Sequence, residues 1–190
     1  MTESVPELVE GLPLADRYTL LNPLGSGGMA DVWLARDERE QREVALKFLK
    51  PELVARPEFI ELLKQEAERC RRLSHPAIVR VYGFHNEQGC VFIAMEYLPG
   101  GSLLSLKQTA WQGLLQLLLP VLDALEYAHS AGFIHRDLRA ANILLDKSGR
   151  PRVTDFGVAV SLQDVQLNYS GGSLPSMSPQ QLDNEPPAVT

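Results

Sequence analysis

The chain has 190 residues, 45% of them hydrophobic and 22% charged, an ordinary balance for a globular protein able to bury one or two cores. A formal net charge of -6 argues against a basic surface for nucleic acid or acidic membranes. No run reaches the length of a membrane span, and the acidic residues Met1 to Glu10 do not read as a signal peptide. Cys70 and Cys90 lack metal-type spacing and read as reduced thiols of a cytosolic domain.

Residues Met1 to Asp16 lack periodicity and are expected to form a leader that packs little. Tyr18–Leu24, Asp31–Arg36 and Glu43–Leu49 are short apolar runs between turn signals, which predicts three strands. Pro57 opens a predicted helix to about Leu73, with apolar positions at Phe59, Leu62, Leu63, Ala67 and Cys70. Proline is tolerated there because its missing N–H would have had no partner. Two more strands, Ile78–Phe84 and Val91–Tyr97, are joined by a turn through Gly89. Five strands and one helix form a small, mostly antiparallel unit, and Pro99, Gly100 and Gly101 then read as a hinge. Beyond it the pattern is helical: a short helix over Ser102–Lys107, and a long one over about Gln112–Ser130 buried through Leu115, Leu118, Leu122 and Leu125. Pro120 lies inside that helix, where proline costs about 3 kcal/mol. Short runs at Ile143–Leu145 and Arg152–Thr154 precede a polar tail rich in glycine and proline. The fold class is α+β.

Three motifs carry chemistry. The segment Gly25-Ser26-Gly27-Gly28-Met29-Ala30-Asp31-Val32 joins two predicted strands. Glycines there let backbone N–H groups approach phosphate oxygens, although a glycine-rich hairpin also serves simply as a turn. Its place between strands, instead of between strand and helix, argues against a dinucleotide-binding fold. Lys47 ends the apolar run Val44-Ala45-Leu46-Lys47, where it either faces solvent or supplies a cation for phosphates. For the second role Glu66, on the following helix, is the carboxylate best spaced to hold it. The third motif is His135-Arg136-Asp137-Leu138-Arg139-Ala140-Ala141-Asn142 followed by Asp155-Phe156-Gly157.

Taken together and in this order, these motifs resemble the signature of the protein kinase family over about Arg17 to Thr190, most closely that of bacterial serine/threonine kinases. The resemblance implies a two-lobed fold: a leader at 1–16, a small antiparallel lobe with one helix at 17–98, and part of a mainly helical large lobe at 99–190. It implies transfer of the ATP γ-phosphate to serine or threonine hydroxyls of a protein, in the cytoplasm, with Mg2+ or alternatively Mn2+. Asp137 would orient the substrate hydroxyl, while Asn142 and Asp155 would hold the metal. Lys47, paired to Glu66, would anchor the phosphates, with Arg139 near the γ-phosphate. Leu24, Gly25, Ser26, Gly27 and Gly28 would contact ATP. Val32, Ala45 and Leu144 would enclose the adenine, Glu96 and Leu98 would bond its edge through their backbone, and Met95 would gate the space behind. Cys70, Val81, His135 and Phe156 match the family's apolar stack. Arg136 implies control by self-phosphorylation of a loop, with Ser161, Tyr169, Ser170 and Ser173 as candidate acceptors.

Departures from the family pattern set the alternatives. Arg139 stands where serine/threonine kinases carry lysine, as in some tyrosine kinases, whereas Gly172-Ser173 follows the serine/threonine pattern. Gln180 replaces a glutamate and Ser176 a tyrosine. The family's large lobe continues beyond the point matched by Thr190, so the chain is expected to be a fragment of a longer signalling kinase with an exposed apolar underside prone to association. The competing readings are a non-catalytic nucleotide- or protein-binding module and a dual-specificity or tyrosine kinase.

Overall fold

Alternating side chains along residues 13–49 and 81–96 lay down one sheet, so that one apolar face can be covered by a helix and the other by the chain's own N-terminal segment. The computed structural model describes residues 6–106, 111–135 and 137–156, without the side chains of Leu62, Glu66, Trp111 and Gln112. The chain divides into two compact units, Met1–Arg72 with Arg80–Tyr97, and Leu73–Val79 with Leu98–Thr190.

The first unit contains β1 (Pro13–Leu14), β2 (Tyr18–Ser26), β3 (Ala30–Asp37), β4 (Arg42–Leu49), α1 (Pro51–Val54), α2 (Pro57–Cys70), β5 (Val81–Glu87) and β6 (Cys90–Glu96). Every strand pair is antiparallel, in the order β1-β2-β3-β4-β6-β5. Val32 sits opposite Lys47, and Lys47 opposite Ile93. Directly opposed residues share a face, so Val32, Lys47 and Ile93 project to one side, together with Leu34, Ala45 and Met95 two positions along. The other side carries Ala35, Val44, Leu46, Phe48, Phe92 and Ala94, buried in one cluster with Leu14, Tyr18 and Leu20.

That cluster corrects the expectation of a leader that packs little. Leu14 is buried in it, Leu8 and Leu12 pack against it, and the Gly11 N–H donates to the Leu20 carbonyl. β1 escaped prediction because two residues carry no period. Helix α2 follows the expected 3.6-residue stripe: Phe59, Leu63, Ala67 and Cys70 are all buried, and the helix packs on β5.

The second unit contains α3 (Trp111–Ser130), β7 (Ile143–Leu145) and β8 (Pro151–Val153), with 3-10 turns at Leu103–Ser105 and Ala140–Asn142. Only that first turn occupies the position of the short helix expected at Ser102–Lys107. Ile78 did not join the following strand as expected; it bridges β8 at Val153, flanked by hydrogen bonds from the Val79 N–H to Val153 and from the Val153 N–H to Ala77. The buried face of α3 is only in part the one expected. Val121, Ala124 and Ala128 are buried and β8 packs on this helix; of the four leucines expected inside, Leu118 and Leu125 are half-buried, whereas Leu115 and Leu122 are exposed. The helix runs on through Pro120. The carbonyl that loses its donor there belongs to the exposed Gln116, where water can replace it.

The Pro99–Gly101 break, expected as a hinge, is fastened down within the second unit. The Gly100 N–H donates to the Leu145 carbonyl at 3.0 Å, and the Leu145 N–H to the Gly101 carbonyl at 2.8 Å. Among the described residues no helix is long and apolar enough to cross a membrane.

Candidate functional site

The expected site residues fall into two constellations, one in each unit. In the first, β2 and β3 turn through the glycine hairpin, closed by a hydrogen bond from the Gly27 N–H to the Ala30 carbonyl at 2.8 Å. Gly25 lies opposite Val32 and Ser26 opposite Asp31, while a register shift between Pro23 and Gly25 leaves Leu24 outside the ladder. None of Gly25, Gly27 and Gly28 has a positive φ, and a Cβ at any of them would meet nothing closer than 3.5 Å. Neither backbone conformation nor packing therefore requires glycine at these three positions. What remains is the approach of something that a side chain would obstruct.

Behind the hairpin, Lys47 is half-buried on β4 between the strands that carry Val32 and Ile93. Ala45 and Met95, in register with each other, are buried on the same face. Val32, Ala45, Lys47 and Met95 are thus brought together as expected. Glu66 is on α2, but its side chain, and so its pairing with Lys47, lies outside the described residues. Glu96 is in register with Val44, on the opposite face, and its N–H donates to the Arg80 carbonyl.

In the second unit, the turn Ala140–Asn142 brings Asn142 back onto Asp137. Asn142 Nδ2 lies 2.8 Å from the Asp137 carbonyl and 2.9 Å from Asp137 Oδ2. Both amide hydrogens are spent on one residue, which fixes the amide and leaves Oδ1 as its acceptor. Arg139 Nε stands 3.4 Å from the same Asp137 Oδ2, with its side chain 45% exposed.

Buried His135 holds this loop to the strand end. Its Nε2 is 2.8 Å from the Thr154 carbonyl, which can only accept, so Nε2 carries the proton. Nδ1, 3.3 Å from the Asp137 N–H, then accepts. The neutral ring satisfies both contacts, and burial pushes its pKa below the ordinary value, which keeps it neutral. The Thr154 N–H donates to the Asn142 carbonyl at 2.9 Å, so residues 135, 137, 142 and 154 form one network. Thr154 was missed from the sequence because it contributes backbone atoms alone; adjacency to Asp155 was the only signal.

Asp155 follows with φ +62°, a left-handed conformation that costs a non-glycine residue of order 1–3 kcal/mol and occurs where surrounding contacts enforce it. Phe156 packs on His135, ring centroids 4.7 Å apart. Of the expected apolar stack, His135 and Phe156 therefore meet in this unit, while Cys70 and Val81 belong to the other. Leu144 is half-buried on β7. Leu98 is 7% exposed, and among the described residues nothing takes its backbone N–H. Arg136 and Gly157 to Thr190, including Ser161, Tyr169, Ser170, Ser173, Ser176 and Gln180, lie outside the described residues.

Among the described residues no three His, Cys, Asp or Glu side chains gather where they could hold a metal. What the second unit offers is a carboxylate, Asp155, and an oriented amide oxygen, Asn142 Oδ1. Such a sparse set of hard donors suits a cation that takes its remaining ligands from water and substrate phosphates.

Comparison with known proteins gives the family. The sequence pattern of the protein kinase domain matches residues 18–188. The probable serine/threonine-protein kinase SCO3848 of Streptomyces coelicolor is 36% identical over 185 residues, spanning 90% of this chain and 28% of that protein. Serine/threonine-protein kinase PrkC of Bacillus subtilis is 36% identical over 181 residues, with the same coverage of 90% and 28%. The chain thus spans little more than a quarter of the length of these relatives. Among solved structures, the Mycobacterium tuberculosis PknI kinase domain superposes with a TM-score of 0.73 at 30% identity, covering 95% of this chain and 68% of that one.

Proposed function

Because this chain belongs to the protein kinase family, we propose that it transfers the γ-phosphate of ATP to serine or threonine hydroxyls of a protein. The observation that carries this reading is the Asp137 carboxylate, oriented by Asn142 at 2.9 Å and tied through His135 and Thr154 to the segment that bears Asp155. A fixed carboxylate suits phosphoryl transfer, in which the protein's task is mostly to position and neutralise. The substrate hydroxyl oxygen bonds to the γ-phosphorus as the bond from that atom to the β–γ bridging oxygen breaks. ADP keeps the electron pair, and Asp137 accepts the hydroxyl proton.

Lys47 and the Gly25–Gly28 backbone would bind the phosphates, and the Leu98 N–H, without a partner among the described residues, would meet the adenine edge. Asn142 Oδ1 and Asp155 would hold Mg2+, or Mn2+ in its stead, which when bound neutralises phosphate charge. The serine/threonine preference is supported by the names of the relatives and by nothing at Arg139, whose guanidinium is not equivalent to a lysine ammonium. A cytoplasmic location, where ATP is available, and self-phosphorylation in the segment after Gly157 belong to the same proposal.

The test is transfer of labelled phosphate from ATP to a generic serine/threonine substrate, with a serine-to-tyrosine peptide pair to read specificity. Asp137→Asn should lower the rate by at least about 100-fold while leaving nucleotide affinity in place. Transfer at an undiminished rate in that variant would falsify the mechanism. A non-catalytic nucleotide-binding module is the second reading, favoured by the Arg139 guanidinium 3.4 Å from the proposed base. Tight ATP binding without transfer by either the chain or Arg139→Lys would establish it instead.

A further inference from the structure

On the face of the first sheet turned away from Lys47 lies an open cavity of about 700 Å³. Its walls include Leu8, Trp33, Phe48, Leu49 and Cys90. Trp33 and Phe48 alternate along their strands with Val32 and Lys47, and both belong to the opposite, outer core. The bed of the cavity therefore lies on the face opposite Lys47, while its rim shares Leu24, Gly25 and Ser26 with the hairpin that would take phosphates. Its volume falls within the range of small-molecule sites and far exceeds that of a bound water.

The chemistry of the lining selects a ligand. An indole, a phenyl ring and aliphatic side chains offer an apolar bed. Burial raises the pKa of Cys90, so that its thiol stays neutral and adds to it. Two carboxylates, Glu7 and Asp31, line the same cavity, and Lys50 Nζ stands 3.9 Å from Asp31 Oδ1. That is the outer limit of an ion pair, and among the described residues Glu7 has no ion pair. We propose that this cavity is a binding site for a small apolar amine, its body against Trp33 and Phe48 and its charged nitrogen at Asp31 and Glu7. The inference does not rest on the proposed phosphate transfer and stands or falls without it.

The test is a ligand-observed NMR titration of the full chain with 4-phenylbutylamine, using 4-phenylbutanol and 4-phenylbutyrate as shape-matched controls. The amine should bind about five-fold more tightly than the alcohol, the scale of a partly exposed ion pair, and the carboxylate more weakly still. Asp31→Asn should erase most of the amine's advantage, and Trp33→Ala should weaken all three probes. Asp31→Asn alters charge at nearly constant volume, so it decides the matter even where Trp33→Ala does not fold. Absence of amine binding, equal affinity for amine and carboxylate, or an unchanged advantage in Asp31→Asn would each overturn the proposal.

Discussion

Glycines in this chain do two different jobs, and substitution by alanine separates them. At Gly100 a Cβ would lie 2.7 Å from the Leu145 carbonyl oxygen and 2.8 Å from the Leu145 Cβ, so the glycine is there for packing. At Gly25 and Gly28 a Cβ would meet nothing within 4 Å. Alanine at a compatible φ narrows the unfolded ensemble and stabilises by about 0.4–1 kcal/mol, whereas forcing a Cβ into contact costs about 1–3 kcal/mol. Gly25→Ala and Gly28→Ala should therefore keep or raise the urea midpoint and weaken ATP binding by roughly ten-fold, about 1.4 kcal/mol. Gly100→Ala should lower the midpoint. If Gly25→Ala and Gly28→Ala bind ATP as well as the parent, the hairpin is a turn and nothing more.

At the scale of elements, the N-terminal strands are locked by an ion pair that no motif announced. Asp37, at the end of β3, is fully buried, and Arg17 donates to it through Nε at 2.9 Å and through a second nitrogen at 2.7 Å. The Arg17 hydrogen bond holds the Asp37 carboxyl below its ordinary pKa, against the opposing effect of burial, and the Glu40 and Arg39 N–H groups assist. A carboxyl with a depressed folded pKa contributes stability above its unfolded value, about 3.9, and loses it as pH falls through the folded value. Arg17→Ala leaves a buried charge unpaired and should cost about 3–5 kcal/mol at neutral pH. The gap between parent and variant should narrow as pH drops below about 4, read as urea midpoints across pH; a gap constant with pH would remove the ion pair from the account. This latch was illegible because the sequence offers a single aspartate at a strand end, indistinguishable from a turn residue. The sheet itself was legible from alternation, and Val32, Ala45, Lys47 and Met95 could be assigned because short motifs fix their register. Contacts between distant segments were not: Ile78 went to β8, and residues 8–14 went onto the outer core, through hydrogen bonds and burial that leave no local period.

Helix α3 extends the same lesson to the molecule as a whole, because it is apolar nearly all round and periodicity could not say which side turns inward. The packing of β8 decides it: small residues, Ala124 and Ala128, permit close approach, and Leu115, Leu119 and Leu122 are left on the other side. Leu115 is 51% exposed, Leu119 64% and Leu122 59%, spaced at i, i+4 and i+7 along one face, and Leu104 is exposed as well. Fully burying a leucine is worth about 1.5–3 kcal/mol, so a contiguous leucine face in water favours association between molecules. Light scattering should then rise with protein concentration and more steeply in sulfate, which strengthens apolar burial. The double substitution Leu115→Glu with Leu119→Lys removes two leucines and creates a favourable i, i+4 pair on an exposed face, so it should change stability by no more than about 0.5 kcal/mol. It should also keep the chain monodisperse at concentrations where the parent scatters. Equal scattering from a folded double variant would mean that association, where it occurs, runs through another surface.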